Sequence, residues 1–473
     1  MPVNWSVLHV ISGLSRGGAS RAASALANAQ AREPGARVAV LSLTPAEAGA
    51  GDDLNGVALI DRVRWRDVFD HVASSDIVHA HVWNAPEMFE FLRLPLVARI
   101  VIWFHVASRA TPQRIPAAIL NQADAPILSS SVCATHRPFS QSGAPLPTIV
   151  PTRDISSFLA IARRRSSSTT CGHVGSLDPL RVPEHLLAHY ANPLLGNVQF
   201  DFAGGGTLLA DMRYEAEQRG LLGRARFHGP VARIDAFLSG CDIFGCPQGP
   251  LSYATSDMAI EEAMAAGLAC VLLSPEGASD LVDHRTTGHV ANNMAGYIAS
   301  LVELAGNPDA RLEFGNAARA YAASVFRPER TAASFRNVYE GLMAEKKIAH
   351  NDLRIAPRGD ESPGAEAMIF AFGDDHPEFL RSINASTPTE AQLADEAVAA
   401  LEPRIWSATQ GGIRHYQTRY PRDPWLAFWS GLGYLRGNAP VRAMLDFRKA
   451  VDLGFNKLRI AAFEKEGLAR ARQ

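Results

Sequence analysis

Short apolar runs alternate with amphipathic, helix-like stretches from the start of the chain to about residue 345. SVLHVIS leads through a glycine-containing loop to the helix-like RAASALANAQA and the strand-like RVAVLSL. DIVHAH, ARIVIWFHV and ADAPILSSS continue the series. Runs that are apolar throughout predict strands buried on both faces, and their alternation with helices predicts a parallel sheet. This half ends near PTRDISSF, before the polar and basic RRRSSSTT. A second series follows, with strands TCGHVGSL, VQFDFAG, ARFHG, CDIFGCP and ACVLLS, closing on the helical LEFGNAARAYAASVF and ERTAASFRNVYEGLMAEKK. The expected fold is α/β. It has two doubly wound, Rossmann-like domains over 1–160 and 161–345, with ligands bound at the carboxyl ends of the strands, in the cleft between the two.

Residues 346–366, KKIAHNDLRIAPRGDESPGAE, read as a linker, and beyond them the alternation stops. Residues 367–473 are expected to be a small all-α extension. TEAQLADEAVAALEP is helical, and DPWLAFWSGLGYLRGNAPVRAMLDFRKAVDLGF reads as two antiparallel helices. Gly431, Tyr434, Ala443, Phe447 and Ala450 fall at spacings like those of a tetratricopeptide repeat, although Ala427 and Phe455 stand at its usual tryptophan and proline positions. A generic helical hairpin fits the same pattern. A single repeat cannot bury its own face, so the tail is expected to pack on the preceding helices or on a partner.

Composition changes little. The 473 residues are 47% hydrophobic and 20% charged with net charge −2, an ordinary globular balance that gives no reason to expect nucleic acid as a partner. Cys133, Cys171, Cys241, Cys246 and Cys270 are scattered among apolar neighbours and read as buried free thiols of a reducing compartment. The N-terminus lacks a signal-peptide pattern, and no segment reaches the roughly 20 apolar residues of a membrane span. The expectation is a cytoplasmic protein, with at most peripheral contact at the inner membrane face through Arg163, Arg164 and Arg165; simple solvation is the plainer reading of those arginines.

Four segments can carry chemistry. GLSRGGAS joins a strand to a helix, where Gly17 and Gly18 allow close backbone approach and free N–H groups suit a phosphate; tight packing explains such glycines equally well. HVGSLDPLR brings Arg181 near the strand end at Gly175, where it could neutralise a leaving diphosphate or simply be solvated. FAGGGTLLADM is a third strand-to-loop glycine run, followed by the turn RFHGPV. YATSDMAIEEAMAAG ends in a helix with Glu262 expected at its start, where the helix dipole would stabilise a carboxylate or where it could accept both hydroxyls of a ribose.

In this order the segments resemble the family-4 glycosyltransferases of the GT-B fold over residues 5–345. RGGAS resembles the family's first loop, and DIVHAH and WFHV its N-domain strands. TIVPTRDISSF resembles the interdomain P-N-G-V-D-x-x-x-F without its asparagine-glycine, HVGSLDPLRV resembles V-G-R-L-x-x-x-K-G, and IEEAMAAGLACVLLS resembles L-E-A-M-A-A-G-x-P-V-V. VFRPER is similar to the segment before the last helix, which in the family crosses back to the first domain.

The resemblance implies sugar transfer from a nucleotide sugar with retention at the anomeric carbon, and no metal or other cofactor. It places the acceptor on the first domain and the donor on the second. Glu262 would hold the ribose, and Gly17, Gly18, Gly175 and Arg181 would lie near the diphosphate. His105 would touch the sugar, with Gly229 and Val231 of the HGPV turn near the base. Asp52-Asp53 and Asp374-Asp375 read as surface charges. Three departures stand out: Ser176 replaces an arginine, Arg181 a lysine, and Ala254 the first glutamate of the E-x7-E motif, with Asp257 at the usual glycine. Thr255, Ser256 and Asp257 resemble the T-T-E-N of a divergent branch, in which Thr255 and Ser256 would bind phosphate or sugar hydroxyls and Asp257 would take over the missing carboxylate's role. Helix capping is the simpler account of all three. The acceptor stays open between polysaccharide, glycolipid and protein. A catalytically silent module that docks a partner through its tail is the competing reading.

Overall fold

The computed structural model describes residues 5–62, 64–163, 169–273, 280–353 and 362–471. Its first domain is built on β1 (Ser6–Ile11), β2 (Arg37–Ser42), β3 (Ala58–Ile60), β4 (Ile77–Val82), the two-residue β5 (Val97–Ala98), β6 (Ile100–Phe104) and β7 (Ala125–Leu128). Six of these form a parallel sheet of order β3-β2-β1-β4-β6-β7. The second domain repeats that order as β10-β9-β8-β11-β12-β13, using β8 (Thr169–Val174), β9 (Val198–Ala203), β10 (Ala225–Gly229), β11 (Ile243–Pro247), β12 (Ala269–Leu273) and β13 (Gly288–Ala291). Strands β1, β4, β6, β11 and β12 are buried along their whole length, as unbroken apolar runs require. In both sheets the strand order reverses beside the first strand, so both crevices open at carboxyl ends that face one cleft.

Three connections bind the halves. Helix Pro328–Met343 crosses back and packs Ala332, Phe335 and Tyr339 against Trp5, Ala22, Leu26 and Trp103 of the first domain. The chain then runs along that domain, with β14 (Ile348–Ala349) pairing antiparallel to β5. Part of the segment expected to be a linker is therefore a sheet edge, and the helical extension begins at Pro363, inside the expected linker. Across the cleft, Tyr253 O accepts from Ala107 N at 2.9 Å and Thr255 Oγ1 accepts from Ser129 Oγ at 2.7 Å.

The extension does not project from the molecule. Its helices Pro363–Phe372, Ile413–Arg419, Pro424–Arg436 and Pro440–Asp452 share one continuous core with the first domain, in which Phe89, Phe91 and Leu92 meet Met368, Tyr416 and Trp429. Polar ties reinforce the contact. Arg419 binds Glu90 at 2.7 Å, Tyr416 OH donates to Asn84 Oδ1 at 3.0 Å, and Asp375 accepts from Thr111 and Arg114, both at 2.8 Å. Asp375 is thus a docking contact and not a free surface charge. The antiparallel hairpin expected over 423–455 is present, and it closes tightly because Gly431 lets the Phe447 ring against its backbone.

Arg163 is not at a membrane surface. Its guanidinium donates to Ala266 O, Cys241 O and Leu238 O at 2.6–2.8 Å, satisfying carbonyls at a helix end as a cation there should. Arg164 and Arg165 lie outside the described residues. All five cysteines are buried and free, with burial pushing the Cys133 and Cys241 thiols up to about 12. Among the described residues no helix is long and apolar enough to cross a membrane.

A Cβ at Gly431 would lie 2.5 Å from the Phe447 ring. Gly431→Ala should therefore lower stability by about 1–3 kcal/mol, the usual cost of overpacking. In chemical denaturation the tail and the first domain should lose structure in one transition, and two separated transitions would show that the shared core does not couple them.

Candidate active site

A cavity of about 750 Å³ lies between the two sheets. Gly17 and Gly18 line it at the start of helix Gly18–Ala31, which has no side-chain cap and leaves its first amides to the cleft. The preceding loop is pinned by Ser20, whose hydroxyl accepts from Ser15 N at 3.0 Å. A Cβ on Gly18 would meet nothing within 4 Å, so the space in front of this helix is open. Opposite, Gly175, Ser176 and Arg181 line the cavity beyond β8. Gly204 passes so close to Gly175 O that a Cβ there would lie 1.8 Å away, which makes glycine obligatory where the loops after β8 and β9 meet. Val231 lines the cavity, whereas Gly229 does not; its carbonyl sits behind and accepts from Gly204 N at 2.8 Å.

The stretch 253–262 forms the cavity's inner wall. The helix starts at Met258 with Asp257 as its N-cap, accepting from Ala259 N at 3.2 Å, and ends at Gly267 in the left-handed conformation. Glu262 therefore lies in the second turn, and helix-end stabilisation does not account for it. Its carboxylate is instead held by Arg21 Nη1 of the first domain at 3.4 Å and by Arg153 Nη1 of the interdomain segment. Burial raises the Glu262 pKa and the two arginines oppose the rise.

Asp257 also pairs with Arg181 Nη2. Burial alone would lower the Arg181 pKa, but the Asp257 charge more than offsets it and the guanidinium is held above its usual range. Thr255 is committed to the bond with Ser129, while Ser256 Oγ is buried on the cavity wall without a partner among the described residues. Of the two hydroxyls, only that of Ser256 has no partner among the described residues.

Three features escaped the sequence reading. Arg21 and Arg153 are the cations on Glu262; Arg153 stands in the very stretch where the interdomain pattern has lost its asparagine-glycine. Gln410, from the helical extension, reaches the cavity wall and interacts with the Tyr253 phenol. Its loop is built in: Gln410 has φ +58°, and a Cβ on the next residue, Gly411, would lie 2.5 Å from Asn84. Glu261 is fully buried with neither carboxyl oxygen partnered among the described residues; burial, then Glu262 and Asp257, push its pKa well up.

Beneath the cleft lie His9, His79 and His81, all buried, with His105 at the cavity wall. Ring nitrogens of the first three fall within 4.8 Å of one another. They do not form a metal-ligand set as they stand. His9 Nδ1 and His81 Nε2 are spent on each other at 3.0 Å, and the His79 and His81 rings are parallel within 1°, so their in-plane lone pairs do not converge.

Residues 168–307 match the family model described as Glycosyl transferases group 1. Among solved structures, the Anabaena protein HepE, in complex with UDP-glucose, aligns with TM-score 0.60 and 17% identity over 72% of this chain and 100% of its own. Sucrose-phosphate synthase from Thermosynechococcus elongatus gives 0.58 and 16%, and a glycosyltransferase from Rickettsia africae 0.57 and 13%, with the same shares covered. The chain has the GT-B fold. Comparison with curated proteins gives no match. More than a quarter of the chain lies outside each GT-B alignment, and the family model falls within the second domain.

Glu261→Leu should stabilise the protein by about 1–3 kcal/mol at pH 8, the cost of a buried unpaired polar group. The native state keeps the Glu261 proton that the unfolded chain releases above about pH 4.3. The Glu261 contribution to wild-type stability therefore falls as pH rises above that value, and the gain from the substitution should be smaller at pH 5 than at pH 8. Denaturant unfolding at both pH values tests this, and an equal gain at both would mean that Glu261 is not held neutral.

Proposed function

We propose that this protein transfers a sugar from a nucleotide-sugar donor to an acceptor hydroxyl in the cleft between its two domains. The observation that carries this reading is the convergence of Gly17–Gly18, Arg181, Ser256 and Glu262 on one cavity at the carboxyl ends of both sheets. In the proposed complex the nucleotide diphosphate spans the cleft from the second domain, and the sugar lies towards His105. The bond from the anomeric carbon to the diphosphate breaks with its electron pair leaving on the phosphate. A new bond forms to the acceptor oxygen, whose proton passes to the departing group.

The developing negative charge would be met by Arg181 and by the uncapped amides at the helix start from Gly18, fixed dipoles that need no reorganisation as charge develops. On this account the transfer needs no metal, and the resemblance supports retention at the anomeric carbon. Ser256 supplies an unspent hydroxyl to phosphate or sugar. Asp257 aims Arg181 at the cleft, which is how it compensates for the carboxylate lost at Ala254. Glu262 offers its carboxylate to the ribose while anchored by Arg21 and Arg153. Uridine is the first base to test, because HepE is held with UDP-glucose. Gln410 and Tyr253 form a rim on the side of the first domain where an acceptor, whether polysaccharide, glycolipid or protein, would enter. The silent-module reading, which also drew on Ser176 and Ala254, loses the support of the helical tail, since the extension shares its core with its own first domain.

A thermal-shift series with UDP, GDP, ADP, CDP and dTDP and their sugars tests the proposal. A nucleotide present at a hundred times its dissociation constant should stabilise the protein by about 2.7 kcal/mol. Arg181→Ala should abolish that gain while retaining a cooperative melt. If no nucleotide stabilises the wild type, the donor site is not functional.

A further inference from the structure

A line of hydrogen bonds leads from the first helix to the cleft. Gln30, buried on helix Gly18–Ala31, places Oε1 2.8 Å from His9 Nε2. His9 Nδ1 lies 3.0 Å from His81 Nε2, and His81 Nδ1 lies 3.1 Å from His105 Nε2. Behind it, Gln30 Nε2 donates to Tyr339 OH at 3.1 Å, and that hydroxyl lies 2.6 Å from His79 Nδ1. Tyr339 sits on the helix that returns from the second domain.

This line has one direction. An amide oxygen only accepts, so His9 carries its proton on Nε2. A neutral imidazole has a single N–H, so His9 Nδ1 is a lone pair and His81 Nε2 must donate to it. The same step repeats at His81 Nδ1, which accepts from His105 Nε2. Burial keeps these rings neutral, with His9 lowered to about 4 and His105 to about 3. At the cleft end His105 has spent its only proton inwards, and Nδ1 is the ring nitrogen left to a ligand.

We propose that Gln30 is a positioning residue that fixes the tautomer of His105, so that His105 presents a hydrogen-bond acceptor to the cleft and selects a sugar hydroxyl there over a phosphate or carboxylate oxygen. The tautomer follows from the network alone; the identity of its ligand rests on the donor-site reading above. An acceptor facing an acceptor is repulsive, so this corner of the cavity excludes the diphosphate, which belongs with Arg181 and the glycine loop. Gln30 touches no substrate and acts only through the two buried rings.

The test is long-range ¹H–¹⁵N correlation spectroscopy of ligand-free protein carrying ¹⁵N-histidine, with His105 assigned by its loss in His105→Phe. His9, His81 and His105 should each show a protonated Nε2 and an unprotonated Nδ1. Gln30→Met, which removes the amide oxygen, should leave His105 in a mixture of tautomers, and Gln30→Glu, whose carboxylate still accepts, should restore the single state. A protonated Nδ1 on wild-type His105, or a Gln30→Met spectrum identical to wild type, overturns the proposal. If Gln30→Met does not fold, the wild-type spectrum alone decides. Addition of UDP-glucose should then shift His105 Nδ1 and leave its Nε2 in place. Binding that leaves Nδ1 unmoved overturns the hydroxyl assignment. Absence of any UDP-glucose binding counts against the uridine donor reading, while the free-protein spectrum still judges the network.

Discussion

The structure turns on a single carboxylate. Glu262 belongs to the second domain, is almost completely buried, and is neutralised by Arg21 from the first domain and Arg153 from the segment between them. A charge so placed cannot be left alone: removing the partners of a buried ion typically costs about 3–5 kcal/mol. The pairing thus fixes the distance between the sheets at the depth of the cleft. The contacts of Thr255 and Tyr253 with the first domain lie along the same wall. This stretch is as much an interdomain fastener as a ligand surface, which is why its departures from the family pattern are not simple losses. Where a glutamate and a glycine are missing, Thr255 holds the first domain and Asp257 holds both a helix end and Arg181.

Two parallel sheets and the cleft between them were legible because the central strands are mostly apolar runs followed by turns with small residues, whereas the short edge strands β3 and β13 carry no such signal and were not foreseen. Those signals are local in sequence. What stayed hidden depends on pairs far apart in the chain. Nothing near Arg153 or Arg21 announces a carboxylate more than a hundred positions away. Glu261 and Glu262 look alike on paper, yet one faces cations and the other faces the core. The helix starts earlier than expected because the Asp257 carboxylate caps it by accepting from Ala259 N, and the small and apolar residues that follow are compatible with either loop or helix. His105, Asp257 and the glycine loops, each legible as a strand end or a helix start, line one cavity.

The helical extension shows how a locally sound argument can leave its outcome open. One hairpin cannot cover its own apolar face, and the face could have been meant for another protein. The chain covers it instead with helix Pro86–Leu92 and spends Glu90, Asn84, Thr111 and Arg114 on the junction. Gln410 and Gly411 then bring the extension to the wall of the cleft, so a segment outside the two Rossmann-like units contributes to the surface that a substrate would meet.

That shared core also bears on how the protein is made. During synthesis the first domain emerges before anything that can cover Phe89, Phe91 and Leu92, and it must wait through the whole of the second domain for residues beyond 363 to arrive. Until then it presents an uncovered apolar face, the kind of surface that draws nascent chains into aggregates or onto chaperones. The nascent protein therefore has its strands and its glycine loops long before it has a finished cleft.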